Sequence, residues 1–266
     1  MGKYYTMIDV YEEFRQYKVV RREEIIRFFT GNVEKANNSI RWLVASGKAQ
    51  RIKPGLLYLR QPNEWGKKEV SISPWLVAAR SVDDAVIAFH SALAVRGEAY
   101  SDSSMIQMAV GLKNTKKPNS FTYQGKAYTY YRENLDFGLM KKVVDDVKIQ
   151  VFDPERIVLE GLKHSDRYLG MDEFLQGIEG IGWLDLSKLM QYLDSYYESN
   201  SMRMRLGWLL ELKQAQWYVK PKQLKRLEKT RPLDPVYLVS SKRSGNYRVA
   251  RWNLMIPKNL KNRRDY

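Results

Sequence analysis

Three observations predict an α+β chain. Apolar residues recur at helical spacing at both ends of the sequence, while short Tyr-, Thr- and Val-rich runs bounded by turn residues fill its middle. Helix and strand signals are grouped rather than strictly alternating, which separates α+β from a parallel α/β order. A hydrophobic fraction of 44% with 12% aromatics supplies real cores and argues against disorder. At 266 residues the chain accommodates one large domain or two to three small ones, at about 100–200 residues each. The polar stretch 61–68 reads as a linker. It divides a small N-terminal domain, 1–62, from a larger mixed domain, 69–266, with a helical bundle, a small sheet and a basic C-terminal segment.

The first helix spans 7–17, with Ile8, Tyr11 and Phe14 facing inward and Val10 beside them. Val19-Val20 suits a short strand. A second helix covers 21–29, with Ile25, Phe28 and Phe29 on one side. Thr30-Gly31-Asn32 interrupts it, Gly31 as a C-terminal cap and Asn32 as a new N-cap. The third helix covers 33–46. Its apolar stripe is Val33, Ala36, Ile40, Leu43 and Val44; Glu34, Lys35, Asn38, Arg41 and Trp42 lie opposite, with Asn37 at the edge. Gly47 ends it. A strand at 48–53, a type II turn at Pro54-Gly55 and a return strand at 56–60 form a basic hairpin.

Helix, tight turn, helix and basic hairpin is the order of a winged helix-turn-helix. A helix fits the major groove, where Asn37, Asn38 and Arg41 offer hydrogen bonds to base edges. Lys35, Arg51, Lys53 and Arg60 suit phosphates, which give affinity without sequence information. The same fold also serves as a protein-interaction module, which stands as an alternative.

Charge is distributed unevenly. Residues 1–60 carry 12 Lys/Arg and 6 Asp/Glu, residues 61–212 carry 18 and 21, and residues 213–266 carry 15 and 3. Two basic ends around a mildly acidic middle suggest two surfaces for a polyanion. In the second, Lys242, Arg243, Arg248 and Arg251 are the candidate contacts.

Beyond 68, Ser73-Pro74 opens a helix to about Arg80, and Asp83 or Asp84 caps another over 85–96, stopped by Gly97. His90 and Ser91 are adjacent on that helix and point about 100° apart, so a packed histidine is expected rather than a catalytic pair. Strands are expected at 105–110, at 121–123 and 127–131 around Gln124-Gly125, and at 148–152. The intervening loop holds Lys113, Lys116 and Lys117 as solvated charges. Helices follow at 154–164, with Asp153 as N-cap, and at 172–179, 185–198, 201–214 and 221–229. Strands at 236–240 and 247–254 close the chain. Glu155 sits in a first helical turn, Arg156 is placed to pair with an inward carboxylate, and Gly207 suits a close helix contact.

Four segments give the chain a resemblance to a known family: Arg51-Ile52-Lys53-Pro54-Gly55-Leu56-Leu57-Tyr58, Phe89-His90-Ser91-Ala92-Leu93-Ala94-Val95-Arg96-Gly97, Phe152-Asp153-Pro154-Glu155-Arg156-Ile157-Val158-Leu159-Glu160 and Arg205-Leu206-Gly207-Trp208-Leu209-Leu210-Glu211. In order and spacing they resemble the AbiEi-type antitoxins of the abortive-infection AbiE toxin–antitoxin systems. Glu160 departs from the pattern, where Asp is expected. The resemblance implies a DNA-binding antitoxin that represses its own operon and neutralises a cognate nucleotidyltransferase toxin. It further implies binding to double-stranded promoter DNA at inverted repeats, with two copies of the chain on the duplex.

Other chemistries are poorly served. With no cysteine there is no disulfide, thiolate nucleophile or Cys-based zinc site, and two histidines preclude a His-rich metal centre. No cofactor or catalytic residue is expected. No phosphate-binding Gly-rich loop, paired His/Glu zinc motif or Gly-Ser followed by spaced aspartates is present. A metal nuclease built on Asp136, Asp146 and Lys148 remains an alternative, its residues expected where a helix end runs into a strand. No apolar run reaches the roughly 20 residues of a membrane span, and no apolar segment follows Met1-Gly2-Lys3-Tyr4, so a cytoplasmic protein without membrane association is expected.

Overall fold

The structure is a computed structural model, and it describes residues 7–113 and 117–260. Met1-Gly2-Lys3-Tyr4 and Lys116 lie outside them. Ten helices longer than a single turn and three sheets among the described residues make the chain α+β, as the sequence predicts. It falls into two compact units, each assembled from separated segments. The first comprises 1–87, 103–135 and 140–151; the second comprises 88–102, 136–139 and 152–266. The expected linker therefore lies within the first unit.

The first unit begins with α1 (Met7–Phe14), β1 (Val19–Arg21), α2 (Arg22–Phe28), α3 (Val33–Ala45), β2 (Ala49–Lys53) and β3 (Leu56–Leu59). The three strands form an antiparallel sheet in the order β1-β3-β2. A core of Val10, Tyr11, Phe14, Ile25, Ile40 and Leu43 lies between the helices and this sheet. On α1 it is Val10 that is buried, while Ile8 is 56% exposed, contrary to expectation. The two residues are 200° apart on a helical wheel, so Val10 and Tyr11 fix the inward arc and Ile8 falls outside it. Val33 is likewise exposed, because it occupies the first position of α3, ahead of the turn that meets the core. The 61–68 stretch is fastened down: Glu64 accepts from the Tyr58 hydroxyl, and Trp65 packs edge-on against Tyr11.

A six-stranded mixed sheet completes this unit, with α4 (Pro74–Arg80) packed on it. Its strands are β4 (Val86–Ile87), β5 (Met105–Gly111), β6 (Phe121–Tyr123), β7 (Lys126–Glu133), β8 (Leu139–Val144) and β9 (Val147–Phe152), in the order β6-β7-β5-β4-β9-β8. The helix expected over 85–96 begins later than its pattern suggests. Val86 and Ile87 are β-branched and pair with β5 on one side and β9 on the other. Asp83 and Asp84 cap nothing; Asp83 pairs with Arg21 and Asp84 accepts from the Gly111 N–H. β8 has no counterpart in the sequence expectation, because Leu139–Val144 holds no fully buried position that would mark one face as apolar.

In the second unit α5 (Phe89–Arg96), α7 (Met171–Gly177), α8 (Leu186–Tyr196) and α9 (Asn200–Leu212) pack on α6 (Pro154–Lys163), which is buried from Glu155 to Leu162. Asp153 caps α6 by accepting from the Arg156 N–H at 2.8 Å. α10 (Pro221–Glu228) packs on α9. A three-stranded sheet follows, from β10 (Val236–Tyr237), β11 (Asn246–Val249) and β12 (Leu254–Pro257), in the order β10-β12-β11. The single strand expected over 247–254 is in fact a hairpin. A turn ends β11, Asn253 takes a left-handed conformation (φ 45°), and its side-chain amide donates to the carbonyls of Pro232 and Leu233. Among the described residues no helix is long and apolar enough to cross a membrane.

Candidate nucleic-acid interface

The residues expected to meet DNA divide between the two compact units. In the first, Asn32 caps α3 by accepting from the Lys35 N–H at 2.9 Å. Ala36, Ile40 and Leu43 then turn into the core together with Ser39, which is also buried. That orientation leaves Lys35, Asn38 and Arg41 exposed along the opposite face. Arg41 donates to the Asn38 side-chain oxygen at 3.3 Å, within one turn. Arg51, on β2, is exposed and has no ion-pair partner among the described residues.

Three expected contacts are placed differently. Asn37 is half-buried, and its side-chain oxygen accepts from Arg22 Nε at 2.9 Å, tying α3 to α2. The Lys53 ammonium lies 4.0 Å from the centre of the Phe121 ring and 5.8 Å from that of Tyr130. Burial pulls the Lys53 pKa below its ordinary value, against the opposing pull of Glu23. Lys53 is therefore a cation–π contact of the sheet rather than a free phosphate ligand. Arg60 is buried and donates to the Gly47 carbonyl, the Gln50 side-chain oxygen and the Lys68 carbonyl. It follows β3, a strand with neighbours on both edges that is buried at all four positions, so little open surface remains at its end.

In the second unit Lys242 and Arg243 are exposed between β10 and β11. The Lys242 ammonium is 3.3 Å from the Asn259 side-chain oxygen, and the Arg243 guanidinium stacks 4.3 Å from the Tyr237 ring centre. Arg248 is exposed and donates to Asn253 at 2.9 Å. Arg251 is committed elsewhere: it bridges Glu211 at 2.6 Å and Glu228 at 3.1 Å. Burial acts to lower its pKa, but the two carboxylates outweigh burial and hold it above the ordinary arginine value.

The remaining motif residues serve the packing of the second unit. His90 is buried, 3.3 Å from a Glu173 oxygen that also accepts from the Ser101 N–H at 2.8 Å. Arg156 is fully buried, its guanidinium 3.8 Å from the Phe152 ring centre and 4.5 Å from that of Phe137. It donates to the Phe137 carbonyl and lies 3.7 Å from the inward Glu160. Glu155 accepts from the Asp185 N–H and pairs with Lys188 at 3.0 Å. Arg205 donates to the Leu162 and Tyr237 carbonyls and to the Ser240 hydroxyl. Gly207 does permit a close approach, but the neighbour is the Trp252 ring rather than a helix.

The residues of the nuclease alternative lie on a turn, on a strand and on a bend between strands. Asp145 and Asp146 are the left-handed pair (φ 46° and 66°) joining β8 to β9, and the Asp146 side chain is fully exposed. Lys148 is exposed on β9, and Asp136 belongs to the other unit. Among the described residues no group of three or more His, Cys, Asp or Glu is arranged to hold a metal ion.

Fold and surface together define an α+β chain with an exposed helix face carrying Lys35 and Arg41 in one unit and a basic strand–turn region in the other. No family model and no curated protein matches it. Among solved structures, the crystal structure of the RV2827C protein from Mycobacterium tuberculosis superposes with a TM-score of 0.59. The match covers 96% of this chain and 93% of that one at 15% identity, a likeness of fold.

Proposed function

We propose that the chain is a DNA-binding antitoxin. It represses its own toxin–antitoxin operon as a winged-helix repressor and neutralises a cognate nucleotidyltransferase toxin in the cytoplasm. The observation that carries the DNA-binding half is the α3 face. Lys35, Asn38 and Arg41 stand exposed on one side of a helix whose other side is buried, with Arg51 exposed on the adjoining strand. A helix with such a face suits the major groove, where amide and guanidinium groups match base edges. The element order α1-β1-α2-α3-β2-β3 and the sheet order β1-β3-β2 support reading this part as a winged helix. Lys242, Arg243 and Arg248 supply a second basic surface for phosphates. The toxin-directed half rests on the resemblance of the four sequence segments.

Fluorescence anisotropy with duplexes from the chain's own upstream region tests repression. Asn38→Ala is expected to cost about 1–3 kcal/mol on the cognate duplex and little on random DNA. Equal loss on both would remove Asn38 from base reading, and no shift of either duplex would sink the repressor. Co-expression with the neighbouring reading frame tests neutralisation: growth arrest by that frame, relieved by this chain, is the expected result.

A further inference from the structure

A recess of about 190 Å³ opens between α3 and the β2–β3 hairpin, lined by Arg22, Asn37, Ile40, Arg41, Arg51, Gly55 and Leu57. Three guanidinium-bearing side chains share it, and no carboxylate lines it. Like charges are not gathered around a cavity without cost, because each raises the electrostatic energy of the others. The arrangement is nevertheless built into the fold. The Arg22 backbone N–H donates to the Gly55 carbonyl at 2.8 Å, locking the start of α2 to the hairpin turn. The Arg22 Nε donates to Asn37 at 2.9 Å, which aims the guanidinium along α3 and engages only one of its nitrogens in that bond. Gly55 holds a left-handed turn (φ 79°) that returns the chain as β3. One Glu23 carboxylate oxygen stands 4.0 Å from where a Cβ on the lining residue Gly55 would be. At roughly 30 Å³ per water in the liquid, the recess has room for about six waters, or for one tetrahedral oxyanion with part of its hydration.

We propose that this recess is a phosphate-binding cup, in which Arg22, Arg41 and Arg51 close around the oxygens of one phosphate. Guanidinium groups suit the role because they present paired donors in a plane that matches two phosphate oxygens. The proposal rests on the DNA reading for its main source of phosphate, the duplex backbone, and it changes the part Arg41 plays there. Arg41 anchors register on the backbone, and base discrimination is left to Asn38 and its neighbours. It also adds Arg22, the first residue of α2.

The test uses the full chain with Arg22→Gln, Arg41→Gln and Arg51→Gln, and with Arg51→Lys to keep charge while losing the planar fork. Two arms are read. Anisotropy on cognate and random duplexes over 50–300 mM KCl gives the slope of log K against log[salt]. NMR of arginine Nε–H signals during titration with inorganic phosphate, at constant ionic strength against chloride, reads the free anion. Each Gln variant is expected to lower the slope by part of the roughly 0.9 that one phosphate contributes, and to weaken both duplexes alike. Arg51→Lys is expected to keep the slope while losing part of the affinity. Wild-type signals shifted saturably by phosphate, but not in Arg51→Gln, would support the cup even if no duplex bound, and would then refute the DNA reading alone. Duplex binding with an unchanged slope in all three Gln variants would overturn the cup and leave the DNA reading standing. Absence of any response in both arms would overturn both. Arg41 and Arg51 are exposed, so their variants are expected to fold; matching thermal midpoints check this.

Discussion

Gly207 and Trp252 show how much of this protein's specificity sits in single positions. α9 presents Gly207 to Trp252, a fully buried indole whose Nε1 donates to Glu211 at 2.6 Å. A Cβ at 207 would stand 2.2 Å from the nearest carbon of the indole ring, so either the ring or the helix must move. Moving the ring also strains its hydrogen bond to Glu211 and the Arg251 guanidinium stacked 5.0 Å from it. Overpacking of a filled core costs typically about 1–3 kcal/mol. Gly207→Ala is therefore expected to lower the unfolding free energy by that amount, read as a lower urea midpoint with the transition slope unchanged. A variant as stable as wild type would mean that Trp252 has another rotamer available. The sequence signalled a close approach at Gly207 but not its partner, because 45 residues separate the two and no local periodicity links them.

Elements were legible where one face alone decided them. α3 announces itself through Ala36, Ile40 and Leu43, an N-cap at Asn32 and a stop at Gly47, and the same reading leaves Lys35, Asn38 and Arg41 in solvent. The pattern failed where tertiary pairing overrode it. Ala85-Val86-Ile87-Ala88 continues into a helical run, yet Ile87 is taken as a bridge between β5 and β9, and the helix starts at Phe89. Lys53 and Arg60 looked like surface cations, but the aromatic surface of Phe121 and the acceptors around Gly47 lie far off in sequence or across a turn. The β8–β9 hairpin was hidden for the opposite reason, since its turn, Asp145-Asp146, reads as an acidic cluster. Both residues carry positive φ, a conformation that costs an L-residue about 1–2 kcal/mol and glycine almost nothing. Against glycine's extra freedom in the unfolded chain, Asp146→Gly is expected to leave stability unchanged or raise it by up to about 1 kcal/mol. Thermal unfolding checks this, and DNA binding should not change. A loss of more than about 1 kcal/mol would show that the Asp146 carboxylate, 4.0 Å from the Lys18 ammonium, contributes more than an exposed ion pair usually does.

Across the whole molecule, a net charge of +15 is only a sum, and the structure divides it into charges that are spent and charges that are free. A cation already facing a carboxylate has little left for a distant phosphate, because the pair is close to neutral beyond a Debye length of about 10 Å. Arg251 is such a spent charge, held between Glu211 and Glu228, as is Arg21 between Glu24 and Asp83. Lys242 and Arg243 face a side-chain amide and a tyrosine ring instead, and neither contact cancels charge. Counting basic residues along the sequence treats all four alike. The distinction has a measurable consequence for the salt dependence of duplex binding, which counts only phosphates that replace counterions. Arg251→Gln is expected to lower stability by about 1 kcal/mol or less, since the ion pairs are partly exposed, and to leave the salt slope of duplex binding unchanged. Lys242→Gln with Arg243→Gln is expected to do the reverse, flattening the slope by up to about 2 with no change in unfolding midpoint. If the double variant leaves the slope intact, the basic C-terminal segment does not touch DNA, and its charge is available for an acidic protein partner; if Arg251→Gln flattens it, the ion pairs with Glu211 and Glu228 must open when the duplex binds.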